Sequence, residues 1–91
     1  MDIRAVAKSG TLESNDIMIM VGPSENGKIN IEVNSIVEKQ FGDEIRNTIK
    51  ETLEKLNVTS VNLKAEDKGA LEYTIRARIE VAIKRSLERE D

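Results

Sequence analysis

From Lys28 to Asn34 polar and apolar residues alternate strictly, with Ile29, Ile31 and Val33 on one side and Lys28, Asn30, Glu32 and Asn34 on the other. A period of two over seven residues predicts a strand with one covered face. Val61, Leu63 and Ala65 alternate with Asn62, Lys64 and Glu66 and predict another. Ile17-Met18-Ile19-Met20-Val21 is instead a continuous apolar run between Asp16 and Gly22-Pro23. It suits a strand covered on both faces, or one whose second face is kept for a partner. Ile3 to Lys8 is mixed and reads as a short edge strand that Ser9-Gly10 ends. Thr11 to Asp16 is rich in turn and capping residues and reads as a loop between two strands. Gly22 to Gly27 reads as a hairpin-type loop, with Asn26-Gly27 suited to positive φ.

The period changes after Asn34. Ser35-Ile36-Val37-Glu38 fits the S-x-x-E capping box. Val37, Phe41, Ile45, Ile49, Leu53 and Leu56 then recur at spacings of four or three, one apolar stripe of an amphipathic helix. Gly42 interrupts that stripe at about 1 kcal/mol relative to Ala, so a break with Asp43 recapping is an alternative. Asn57 suits the positive-φ residue after a last helical turn. Leu71 to Ile83 alternates as a strand would, but thirteen residues is long against a usual five or six. The ladder Glu72, Arg76, Glu80, Lys84 at spacing four favours a helix. That helix starts near Ala70, after Gly69, and buries Leu71, Ile75, Ile79, Ala82 and Ile83.

These elements run strand, strand, strand, helix, strand, helix. The expected fold is α+β, a two-layer α/β sandwich of one small mixed sheet of about four strands and two helices, forming one domain over residues 1–91. The crossover from the third strand to the fourth should be right-handed.

Composition narrows the chemistry. The 91 residues include no Cys and no His. That removes disulfides, thiolate nucleophiles, a Ser-His-Asp triad and imidazole or thiolate metal ligands. One Tyr, one Phe and no Trp leave no stacking platform for single-stranded nucleic acid. A net charge of -3 argues against a phosphate-backbone footprint. No apolar run approaches a membrane span, and the first residues contain no apolar signal region, so the cytoplasm is the expected compartment.

The remaining candidates are carboxylates, lysines and hydroxyls. Glu66-Asp67-Lys68-Gly69 reads as a solvated turn leading into a helix, or as the charged cluster of an enzyme. Glu13 and Asp16 flank Ser14 and span a turn. Two carboxylates are few ligands for a hard cation such as Mg²⁺. On pattern alone, Ser14 is a turn serine bonded to its own backbone. Met18 and Met20 share a strand face opposite Ile17, Ile19 and Val21, as core packing or as an adaptable docking surface. This profile fits a binding or carrier module better than a stand-alone enzyme.

Gly10-Thr11-Leu12-Glu13-Ser14-Asn15-Asp16 resembles the modification loop of the citrate lyase acyl carrier proteins, the gamma subunits of that complex. The resemblance continues in Asn34-Ser35-Ile36-Val37-Glu38-Lys39-Gln40-Phe41-Gly42-Asp43, in Asp67-Lys68-Gly69-Ala70-Leu71-Glu72 and in Arg76-Ala77-Arg78-Ile79-Glu80. These blocks span nearly the whole chain. The resemblance implies a non-catalytic carrier whose Ser14 bears a covalent phosphoribosyl-dephospho-CoA group, derived from a triphosphoribosyl-dephospho-CoA precursor. The thiol of that arm holds acetyl and citryl thioesters while citrate is cleaved to oxaloacetate and acetate. It also implies partners: the alpha (acyl transferase) and beta (citryl-thioester lyase) subunits, a prosthetic-group transferase and an acetylating ligase, with neither nucleic acid nor membrane. Asn15 departs from the glycine expected after the serine, and Asn tolerates positive φ better than most residues. The chain lacks the Asp-Ser-Leu signature of helical-bundle carriers. The nearest rival is the carrier subunit of malonate decarboxylase, with the same type of arm. A rival of another class is a small non-catalytic protein- or nucleic-acid-binding domain.

Overall fold

Ile17, Ile19 and Val21 are buried while Met18 and Met20 between them are only half-buried, so the apolar run is a strand with two unequal faces. A computed structural model describes residues 1–89 and explains the inequality. Four strands, β1 (Ala7–Gly10), β2 (Ile17–Gly22), β3 (Ile29–Ser35) and β4 (Val61–Asp67), form one sheet, and two helices, α1 (Glu38–Lys55) and α2 (Glu72–Glu88), cover one face of it. The architecture is the expected α+β sandwich with element order β-β-β-α-β-α.

The strand order is β1-β2-β4-β3, with β2 antiparallel to β1 and β4, and β3 parallel to β4. The segment from Gly22 to Gly27 is therefore not a hairpin. It carries the chain past the place that β4 fills later, although Gly27 has the expected positive φ, +69°. Local turn chemistry cannot reveal such a split. β4 wins the central position because Val61, Leu63, Ala65 and Asp67 are all buried, and a strand paired on both sides leaves no backbone group unsatisfied.

The first strand begins four residues later than expected. Ile3 is buried and donates its N–H to the Ser60 carbonyl at 2.9 Å, beside an isolated parallel bridge between Asp2 and Ser60. Ser9 and Gly10 lie inside β1 rather than ending it. Gly10 permits this because its φ is +92° and a Cβ there would lie 1.8 Å from the Ile17 carbonyl oxygen.

α1 is continuous through Gly42, without the alternative break at Asp43. Arg46 donates to Glu38 at 2.9 Å across the missing side chain, and a Cβ at Gly42 would meet Glu38 Cγ at 3.0 Å. The capping box does not form. Val37 is the N-cap and makes no side-chain cap. The Ser35 hydroxyl instead accepts from Val37 N–H and donates to Asp67. At the other end Asn57, φ +61°, donates to Glu54 O while Val58 donates to Leu53 O, the paired bonds of a Schellman stop. α2 buries Ile75, Ile79, Ala82 and Ile83 as expected, whereas Leu71 precedes the helix and is exposed.

The helix-free face carries cross-strand polar pairs between β3 and β4: Asn30 to Asn62 at 2.7 Å, Asn34 to Glu66 at 3.1 Å and Lys64 to Glu32 at 3.6 Å. Met18 and Met20 lie on this face, so they are not core side chains. Among the described residues no helix is long and apolar enough to cross a membrane.

Candidate functional site

Ser14 stands at the tip of the loop that joins β1 to β2, at the end of the sheet where the parallel strands β3 and β4 finish. The loop is short and internally tied. Asp16 N–H donates to the Glu13 carbonyl at 3.1 Å, closing a turn with Ser14 and Asn15 at its centre. Asn15 has φ +67°, the sign that a type II turn needs at its third residue and that Gly or Asn supplies most easily. The departure from glycine at this position therefore leaves the turn intact. Thr11 Oγ1 donates to Asp16 Oδ2 at 2.6 Å and accepts from Glu13 N–H at 3.2 Å.

Three outside anchors hold this loop. Asn15 N–H donates to the Lys68 carbonyl at 2.8 Å, and Lys68 N–H donates to the Asp16 carbonyl at 2.9 Å. These bonds extend the β2–β4 pairing past Ile17 and Asp67. The third anchor is Arg78 of α2, whose Nε and Nη2 donate to the two carboxylate oxygens of Asp16 at 3.0 and 2.9 Å. Bidentate charge-assisted pairs of this form fix orientation as well as adding energy. The Arg78 hydrogen bond is the main reason that the Asp16 carboxyl is held at about 2, below its usual 3.8, while partial burial opposes the shift and bonds from Thr11 and Ile17 N–H assist it.

Lys68 is positioned in turn by Asp67, which is 2% exposed. Its carboxylate accepts from Ser35 Oγ at 2.7 Å and from Ala70 N–H at 2.9 Å. Glu66-Asp67-Lys68 is therefore not a solvated turn. Asp67 is a buried structural group that joins β3, β4 and the start of α2. With both oxygens so engaged it is not a free acid or base, and Glu66 accepts from Asn34.

Ser14 itself is exposed, and among the described residues its hydroxyl has no hydrogen-bond partner. It is thus not the self-bonded turn serine that pattern alone suggests. Its two flanking carboxylates differ sharply. Glu13 is exposed, whereas Asp16 is turned inward to Arg78, so they do not converge on a cation. No group of three or more acidic side chains capable of holding a metal exists among the described residues. The anchors Arg78, Asp67 and Ser35 were missed as site residues by sequence reasoning. Arg78 lies 62 residues from Asp16, and no local spacing links them.

The loop thus presents one exposed, unpartnered hydroxyl on a base tied by backbone bonds to Lys68 and by Arg78. Residues 4–86 match the acyl carrier protein family described as malonate decarboxylase delta subunit (MdcD). Over 86 residues, 94% of this chain and 90% of the relative, the sequence is 50% identical to the citrate lyase acyl carrier protein of Halothermothrix orenii. The chain belongs to this family of acyl carrier proteins. Its fold matches a chain in the crystal structure of a Pseudomonas malonate decarboxylase hetero-tetramer in complex with malonate, with a TM-score of 0.82, 20% identity and coverage of 94% of this chain and 88% of that one. A looser likeness, TM-score 0.58 at 12% identity, covers 96% of this chain but 35% of homoserine kinase from Cytophaga hutchinsonii. The same layering thus recurs as part of a larger protein.

Proposed function

We propose that this protein is the acyl carrier subunit of a citrate lyase complex and that Ser14 is the point of covalent attachment. The observation that carries the reading is the contrast between a free hydroxyl at the loop tip and a fully bonded loop base. A large group joined to Ser14 Oγ displaces no existing bond and meets no buried neighbour, so the site fits a bulky phosphodiester-linked arm. A hydroxyl on an exposed loop is reachable by a modifying enzyme.

The proposed group is phosphoribosyl-dephospho-CoA, which supplies a thiol for acetyl and citryl thioesters when bound. The chain's own residues do the positioning. Asn15 sets the turn that points Ser14 outward. Arg78 and Lys68 keep the base of the loop fixed to α2 and β4, so the attachment point does not move with the arm. A fixed tether gives the carried group a high local concentration at partner sites without release between them. The protein performs no bond-making step in this reading. Its partners are the alpha and beta subunits, a prosthetic-group transferase and an acetylating ligase, and its compartment is the cytoplasm.

Intact mass and peptide mapping after co-expression with the modifying transferase test the assignment. The expected result is one adduct, on the peptide containing Ser14, that Ser14→Ala abolishes. An adduct on another residue overturns it. The second reading is the carrier of a malonate decarboxylase, favoured by the family description and by the fold match. The two separate by the acyl group that the loaded protein exchanges with its transferase partner: acetyl for citrate, or acetyl for malonate.

A further inference from the structure

Beside the Ser14 loop a groove of about 510 Å³ opens between α1 and α2. It is of the size of small-ligand clefts, about 300–1,000 Å³. Its near end is Gly69, where a Cβ would sit 3.7 Å from Asn15 Oδ1, so the groove begins at the residue next to Ser14. Its walls are Phe41 and Ile45 from α1, and Leu71 and Ile75 from the start of α2. Phe41 and Leu71 are 45% and 59% exposed, an unusual outlay of apolar surface at one mouth. Thr48 lies in the wall, and among the described residues its hydroxyl has no partner. Two lining carboxylates, Glu51 and Glu72, accept from Arg76 at 2.9 and 2.7 Å. With Glu44 added, the rim carries three carboxylates against that one guanidinium. The groove is therefore unsuited to phosphate or to an anionic acyl group. It suits an uncharged, partly apolar chain with amide groups.

We propose that this groove holds the uncharged pantetheine section of the arm carried on Ser14. The proposal rests on the carrier reading above. The occupant is defined by the tether: an arm fixed to Ser14 is present at the groove mouth at millimolar effective concentration. Even millimolar intrinsic affinity then leaves about half of the arms seated. The apolar walls cover the methyl-bearing part, the Thr48 hydroxyl is available to an amide, and the acidic rim keeps the phosphates outside. Seating shields the thiol between encounters with partner subunits.

The test compares apo and holo protein, the latter with a free thiol and verified by mass as modified on Ser14. Amide chemical shifts of Phe41, Thr48, Leu71 and Ile75 are expected to change on modification. Phe41→Ser with Leu71→Ser, both at exposed positions, is expected to reverse those changes and to speed alkylation of the holo thiol about twofold, as loss of half occupancy requires. Shift changes confined to residues 11–16 and 68, with an unchanged alkylation rate in the double variant, overturn the groove while leaving the attachment site standing. Mass analysis that places the arm on a residue other than Ser14 overturns both.

Discussion

Arg78 grips both carboxylate oxygens of Asp16, two residues from the exposed Ser14 hydroxyl and from the opposite layer of the fold. The pair joins α2 to the loop between β1 and β2. Asp16 is 14% exposed at its side chain, so the bond is partly shielded from solvent, whereas Arg78 is 38% exposed. The relationship makes the Ser14 loop a fixed part of the sandwich.

Arg78→Ala should lower stability by about 1–2 kcal/mol, because it leaves the Asp16 carboxylate without its cation in a partly buried setting. For a chain of this size that is a fall of about 5–10 °C in the melting midpoint. Hydrogen exchange gives the sharper readout. The amides of Asn15 and Lys68 should lose protection, while that of Ile49 in α1 keeps it. Arg78→Lys should recover only part of the loss, since an ammonium cannot reproduce the two-pronged contact. Unchanged protection at Asn15 in Arg78→Ala would show that the backbone bonds to Lys68 suffice alone.

The same pair predicts an acid limb. The Asp16 pKa is lowered from 3.8 to about 2 on folding, so its contribution is fully present above pH 4 and disappears as the pH falls through 2. Allowing for the exposure of Arg78, the contribution is about 1–2 kcal/mol. Asp16→Asn removes the titration. The stability difference between wild type and Asp16→Asn should therefore be constant from pH 7 down to about 4 and narrow below it. Urea midpoints at successive pH values measure this, and a difference independent of pH down to 2 would contradict it.

Much of the fold was legible because its signals are local. The alternation of Ile29, Ile31 and Val33 names β3, the stripe from Val37 to Leu56 names α1, and Asn57 ends it with the positive φ that its side chain tolerates. The helix in the last segment followed from the charge ladder, and the Glu72–Arg76 pair of that ladder forms. What was not legible depends on distant partners. The capping signal at Ser35 lost its hydroxyl to Asp67, 32 residues away. The loop after β2 looked like a hairpin because nothing local records that β4 will enter between β2 and β3. At the site, Ser14 stood out through a resemblance covering the chain, while Arg78 and Asp67 act through contacts that no short window contains.

Gly10 is the position where substitution should be most damaging to the loop. A Cβ there would lie 1.8 Å from the Ile17 carbonyl oxygen and 2.9 Å from its carbonyl carbon, and φ is +92°. Both obstacles are backbone, so no side-chain rearrangement relieves them. Gly10→Ala should cost about 3 kcal/mol or more, read as a collapse of the urea midpoint. A midpoint near wild type would mean that the β1–β2 hairpin opens easily at its mouth.

Gly42 gives the opposite expectation. It is buried within α1, beneath the Glu38–Arg46 pair, and a Cβ would meet Glu38 Cγ at 3.0 Å and Arg46 Nη1 at 3.2 Å. Both contacts belong to flexible side chains that are 44% and 40% exposed. An exposed pair of this kind contributes at most about 1 kcal/mol, and its atoms need to shift by only a few tenths of an ångström. Alanine in a helix interior gains about 1 kcal/mol over glycine through reduced chain entropy. The gain outweighs a partial loss of the pair, so Gly42→Ala should stabilise the protein by a few tenths up to about 1 kcal/mol. Urea unfolding with an unchanged slope measures this directly. A loss of stability would show that the Glu38–Arg46 bridge is held more rigidly than its exposure implies, and Arg46→Ala in the same background should then restore the gain.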